Sequence, residues 1–177
     1  MGQVINVLGL GPSLSLYTSG ISIGVNDIWS RVKTEYLVCV DTKDRFTAER
    51  LKTINESKPL KFYSIFPLKD KPEVTDWSDR PDFQRIELQP DFPKYVCQIN
   101  IPQLPKSLCS PFVACVIAYR FLQATEIHVY GVDLINHPHL DRDSCERIKL
   151  HFRNLKVALV QNNCQLIVHG SGILKDV

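Results

Sequence analysis

Val4, Ile5, Val7 and Leu8 form the first apolar run of the chain, and Gly9 ends it. Its length and β-branched content predict a buried strand of a parallel sheet. Further strands are expected at 21–25, 36–40, 60–65, 126–132 and 164–168. Between them the apolar spacing lengthens to that of helices. Asp27 stands where it would cap a short helix over Ile28, Trp29 and Val32. From Lys43 to Ile54 the residues Phe46, Leu51 and Ile54 fall near one helical face, with charges on the other. Ser110-Pro111 reads as a helix start, with Ser110 as N-cap and Pro111 at the first helical position. The helix that follows is apolar nearly all round, from Phe112 to Leu122, which predicts deep burial. A last helix, from about Arg142 to Gln161, presents Ile148, Phe152, Leu155, Ala158 and Leu159 on one face.

The stretch 67–105 breaks this alternation. Pro67, Pro72, Pro81, Pro90, Pro93, Pro102 and Pro105 fall within it, a density that argues against long regular elements. Only 83–88 and 95–101 read as short strands. The segment is either a functional excursion or a cover for a sheet edge. Strands alternating with helices otherwise predict one α/β domain over residues 1–177, a three-layer sandwich with a mainly parallel sheet and an irregular insertion at about 67–105.

Composition changes this picture little. A chain of 177 residues with 44% hydrophobic and 23% charged residues suits one soluble domain with a substantial core. Its net charge of +2 gives no ground to expect nucleic acid as a partner. No apolar run is long enough to span a bilayer, and the glycine-broken first run does not read as a signal peptide, so a cytoplasmic protein is expected. The six cysteines include no C-x-x-C pair, so zinc or thioredoxin-type chemistry has no local support. Cys39, Cys115 and Cys164 lie in apolar segments and read as small core residues.

Ligands of open parallel sheets sit beyond the C-terminal ends of the strands. That rule collects Gly9, Gly11, Ser13, Asn26, Asp41, Ser110, Asp133, His137, His139 and His169. Gly9 and Gly11 allow a tight turn and close approach to a ligand, and Ser13 after Pro12 reads as the N-cap of a following helix. Strand, glycine turn and helix start together make either an anion site or a plain strand-to-helix turn. The sequence is not a full G-x-G-x-x-G and lacks the lysine of a P-loop. Asp41 and Asp133 read as turn or capping residues, or as partners of a ribose hydroxyl or a metal-bound phosphate. His137 and His139 are either solvated loop residues, a general base, or with Asp141 a weak metal pair.

Three blocks resemble a known group of proteins. Gly9-Leu10-Gly11-Pro12-Ser13-Leu14 resembles the G-N-G-P-S-L opening of bacterial Rossmann-like sialyltransferases, which also occurs in hydroxymethylpterin diphosphokinase and the Maf flagellar accessory proteins. Ile23-Gly24-Val25-Asn26 resembles the strand-ending Asn of that group. Ser110 with its buried helix, followed by Glu126-Ile127-His128-Val129-Tyr130-Gly131-Val132-Asp133, resembles its S-G/T helix and E-I-Y-L-x-G-x-D strand. The resemblance implies a Rossmann-like fold in which Gly11, Ser13, Asn26 and Ser110 bind a CMP-sugar and His139 acts as general base on a glycan or small-molecule acceptor. It also implies two alternatives. One is pyrophosphoryl transfer to a pterin, with Mg²⁺ held by Asp41 or Asp133; the transferase reading calls for no metal or cofactor. The other is a nucleotide-binding module without catalysis. Leu10 bears on that choice, because it replaces an Asn of the group and its side chain cannot donate a hydrogen bond.

Overall fold

The computed structural model describes residues 2–65, 69–89, 98–107, 109–135 and 140–177. Seven strands form one all-parallel sheet: β1 (Gln3–Leu8), β2 (Ser22–Val25), β3 (Tyr36–Cys39), β4 (Lys61–Ser64), β5 (Phe83–Arg85), β6 (Ala124–Tyr130) and β7 (Gln165–Val168). Their spatial order is β5-β4-β3-β2-β1-β6-β7. The chain therefore builds outward from β1 to β5, then returns to β1 and builds the other way. The two strands on either side of that reversal are β1 and β6.

Strand alternation sorts the side chains into two cores. Ile5, Val7, Ile127 and Val129 face the helices α3 (Ser110–Arg120) and α4 (Arg142–Gln161), whose apolar sides complete the larger core. Burial of α3 along most of its length accords with its all-round apolar sequence. Leu8, Leu37 and Phe62 face the other way and pack with Leu14, Ile28, Trp77 and with Ile54 of α1 (Ala48–Glu56). The result is the three-layer Rossmann-like arrangement expected from the alternation.

Local details differ from the sequence reading for physical reasons. The 43–54 helix is two pieces: a 3-10 turn at Lys43–Arg45, then α1, which starts late because Thr47 caps it through a bond from the Arg50 N–H. Asp27 precedes a single 3-10 turn, Ile28–Ser30, and makes no side-chain cap; its carboxylate instead meets Arg50 at 2.7 Å. Ser110 is inside α3, whose N-cap is Cys109. Strands β5 and β6 end earlier than read, at Arg85 and Tyr130.

The proline-rich middle supplies one short helix, α2 (Pro72–Thr75), and the edge strand β5. Residues 98–101 are not strand, and 95–97 lie outside the described residues. Arg80 fixes this segment to the body: its guanidinium bonds to Asp82, to the carbonyls of Ile54 and Ser57, and lies 4.2 Å over the Phe62 ring. Trp77 fills the space beside Phe62, ring centroids 5.3 Å apart. Part of the insertion thus covers one end of the sheet. No helix among the described residues is long and apolar enough to cross a membrane.

Candidate functional site

The glycine loop leaves β1 at the reversal point, where a ligand crevice is expected in an open parallel sheet. Here that crevice is filled by the chain. A Cβ on Gly9 would lie 2.4 Å from the Gly131 carbonyl oxygen, and one on Gly131 would lie 2.2 Å from the Gly9 carbonyl oxygen. Gly131 has φ +68°, in the region that favours glycine. Gly11 gives its N–H to the Gly131 carbonyl at 2.8 Å, and a Cβ on it would meet Asp133 Oδ2 at 2.6 Å. The side of each loop glycine that a Cβ would occupy faces this chain's own turn.

Ser13 is not an N-cap. Pro12–Leu16 is one 3-10 turn with Gly11 before it, and Ser13 is its second residue. Its N–H and its Oγ–H both donate to Asp133 Oδ2, at 2.9 and 2.8 Å, while its Oγ accepts from the Gly131 N–H at 2.9 Å. The free N–H groups at the start of a helical turn attract an anion. Asp133, only 4% exposed, supplies that anion from within the molecule.

A second cluster lies one and two strands away. Asn26 follows β2 with φ +53°, a left-handed conformation that Asn tolerates better than most residues. Its Nδ2–H donates to Asp41 Oδ2 at 3.1 Å, just past β3. The Ser110 hydroxyl donates to the same oxygen at 3.3 Å from the start of α3. Two residues 84 positions apart therefore converge on one exposed carboxylate. The Asn26 Oδ1 is buried and has no hydrogen-bond partner among the described residues. A buried acceptor without a partner calls for a donor, which a water, an ion-bound water or a ligand can supply. The rim carries Arg50, paired with Asp27, and Arg31, whose guanidinium donates to the Leu10 carbonyl at 2.9 Å.

Cys109 stands at the same helix start, a position that activates thiolates when it is open. Burial instead pushes its thiol up to about 12, and burial likewise raises Cys39 below Asp41. Neither is a nucleophile at neutral pH. The five described cysteines are free and buried. Leu10 is partly buried, its side chain against the smaller core. His137 and His139 lie outside the described residues.

One further group is not among those that the strand-end rule collects as a unit. Glu126, His128 and Tyr130 alternate along β6 and so share a face, and His169 follows β7 beside them. His128 bonds to Glu126 Oε1 at 2.6 Å and to His169 Nε2 at 2.8 Å. The signal was present: polar residues at every second position of a strand otherwise read as buried. Comparison of the chain with family models, curated proteins and solved structures finds no match.

Proposed function

We propose that this protein is a nucleotide-sugar-dependent, glycosyltransferase-like enzyme that holds a CMP-sugar at the C-terminal ends of β2 and β3. The observation that carries the reading is the convergence of Asn26 and Ser110 on Asp41, with the buried Asn26 Oδ1 unpartnered among the described residues. The resemblance of the chain to Rossmann-like sialyltransferases assigns the nucleotide to Asn26 and Ser110. The site offers acceptors: a carboxylate for ribose hydroxyls and an amide oxygen for an N–H or O–H. A cytidine nucleotide brings both kinds of donor. Binding energy spent on the nucleotide then fixes the sugar carbon near the acceptor hydroxyl, and a histidine base removes the hydroxyl proton as the new bond forms. The resemblance gives that role to His139, with His137 two residues before it.

The reading differs from the sequence expectation in one respect. Ser13 and Gly11 are engaged with Asp133 and Gly131, so the nucleotide depends on the β2–β3 side of the edge. Calorimetric titration with CMP tests it. Wild-type protein binds, and Asp41→Ala weakens binding by about 10–100-fold, the loss of hydrogen bonds to a charged group worth about 1.5–3 kcal/mol. Absence of CMP binding by the wild type, or equal affinity in Asp41→Ala, overturns the proposal.

A further inference from the structure

The face of β6 that carries Glu126, His128 and Tyr130 lies opposite the one packed on α3. Register places Val4, Asn6 and Leu8 of β1 beside these three, and Gln165 and Ile167 of β7 beside Glu126 and His128. Toward its N-terminal end this face is open: Val4 is 45% exposed. Toward the C-terminal end, Tyr17 meets the Tyr130 ring edge-on at 5.7 Å, and His169 stacks on Tyr130 with ring centroids 4.3 Å apart. A Cβ on the next residue, Gly170, would touch Ser13 and Asp133, so His169 emerges at the edge where the strands of the sheet end.

The hydrogen bonds fix the tautomers in order. The Glu126 carboxylate accepts, so Nε2 of His128 carries the hydrogen of the 2.6 Å bond. Nδ1 of a neutral His128 is then an acceptor, and the 2.8 Å bond to His169 requires the hydrogen on His169 Nε2. Nδ1 of His169 is left with a lone pair, because the bond to His128 uses Nε2. We propose that His169, in place of the His139 to which the resemblance gives the role, is the general base that takes the proton of a hydroxyl-bearing acceptor, held in the reactive tautomer by His128 and Glu126.

The proton balance is complete within the cluster. As the acceptor oxygen bonds to the sugar carbon and the nucleotide leaves, its proton moves to His169 Nδ1. The Nε2 proton of His169 is then free to pass to His128 Nδ1, and the Nε2 proton of His128 to Glu126. Complete transfer leaves both imidazoles neutral and Glu126 as the carboxylic acid. Burial and the neighbouring His128 hold His169 below the usual histidine range, so it is an uncharged acceptor at neutral pH. Glu126 bonds to His128, the Tyr130 ring stacks on both imidazoles, and Tyr17 lies edge-on to Tyr130; Glu126 is the charged one among them. Strands β2 and β7 are three positions apart, about 14 Å at the usual strand spacing. That separation is comparable to an extended nucleotide sugar, with its nucleoside at Asn26 and its sugar toward His169.

This assignment rests on the transferase reading, and the experiment separates the two. Carbethoxylation of the whole protein with diethyl pyrocarbonate needs no substrate and is read by peptide mass spectrometry. His169 should react several-fold faster than buried His151, and Glu126→Gln or His128→Asn should slow it several-fold by releasing the tautomer. In a transfer or donor-hydrolysis assay with CMP-sugar, His169→Gln should lower turnover by about 10²–10⁴-fold with CMP affinity unchanged. Glu126→Gln should shift the acid limb of the pH–rate profile, which loss of packing alone does not do. Unaltered reactivity of His169 in Glu126→Gln overturns the relay whatever the substrate. Full turnover in His169→Gln overturns His169 as the base, and loss in His139→Ala would then return the role to His139. If CMP fails to bind the wild type, the function falls, and the reactivity of His169 still decides the relay.

Discussion

At the scale of single residues, the loop that reads most like a phosphate cradle is occupied by a side chain 120 positions away. Asp133 takes both donors of Ser13, and the Ser13 hydroxyl passes the interaction on to the Gly131 N–H. Asp133→Ala leaves a buried N–H and a buried hydroxyl unpaired, at a cost of about 1–3 kcal/mol. Urea unfolding should show a lower midpoint with an unchanged slope, and an unchanged midpoint would remove the carboxylate from the structural account. Leu10 is the other informative position. Its side chain packs on the smaller core, and its carbonyl holds Arg31. Leu10→Asn gives up apolar burial and should lower stability by about 1 kcal/mol. If the loop also touches the nucleotide, CMP affinity should rise by the worth of about one hydrogen bond, 0.5–1.5 kcal/mol. Lost stability with no gain in affinity would make Leu10 a packing residue alone and favour a binding module without catalysis.

At the scale of elements, α4 carries a titrating group in its packed face. His151 bonds through Nδ1 to the Ser107 hydroxyl at 3.0 Å and packs on the Phe112 ring. Burial, and then Arg147 one turn earlier, lowers its pKa. The unfolded chain, with imidazoles near 6.5, therefore binds more protons than the folded one as the pH falls below about 6.5. The stability from neutral His151 is full above that value and is lost as the pH falls toward its folded pKa; His169 adds in the same direction. Asp44, Asp76 and Asp141 are lowered by side-chain hydrogen bonds, so their contributions are lost only below about pH 4. Thermal unfolding followed from pH 7.5 to 5 should show a falling midpoint, and His151→Gln should flatten part of that fall. An identical slope in the variant would assign it elsewhere. Elements of this kind were legible where periodicity was strong. The bounds of α4 match the sequence reading, and strands β2, β3, β4 and β7 agree within a residue or so. Ser13 and Ser110 were misplaced as caps because local chemistry does not reveal a partner from a distant strand. Asp133 for the first and Asp41 for the second are such partners. The Glu126–His128–His169 row was written in the strand alternation, but its meaning depended on β7 lying next to β6, which no local pattern states.

At the scale of the molecule, the strand order decides which part of the edge is open to a ligand. The reversal between β1 and β6 is where an open parallel sheet usually binds. Backbone packing of Gly9 on Gly131 and the Ser13–Asp133 bonds close it. What remains is an acceptor-rich cluster over β2 and β3 on one side and the histidine row of β6 and β7 on the other. A ligand that spans both must carry hydroxyl and amine donors at one end and a reacting centre at the other. Thermal shift with CMP, CMP-sugar and ATP, each with and without Mg²⁺, reads this on the whole fold. Ligand at 100 times its Kd stabilises the folded state by about 2.7 kcal/mol. For a domain of this size that is about 5–10 °C in Tm. CMP and CMP-sugar should raise Tm by that order, equally with and without Mg²⁺, and Asp41→Ala should cut the rise to about half or less at the same concentration. A rise with ATP only when Mg²⁺ is present would favour pyrophosphoryl transfer to a pterin instead, with an acidic group such as Asp41 on the metal. Equal Tm values in every condition would leave neither nucleotide reading standing.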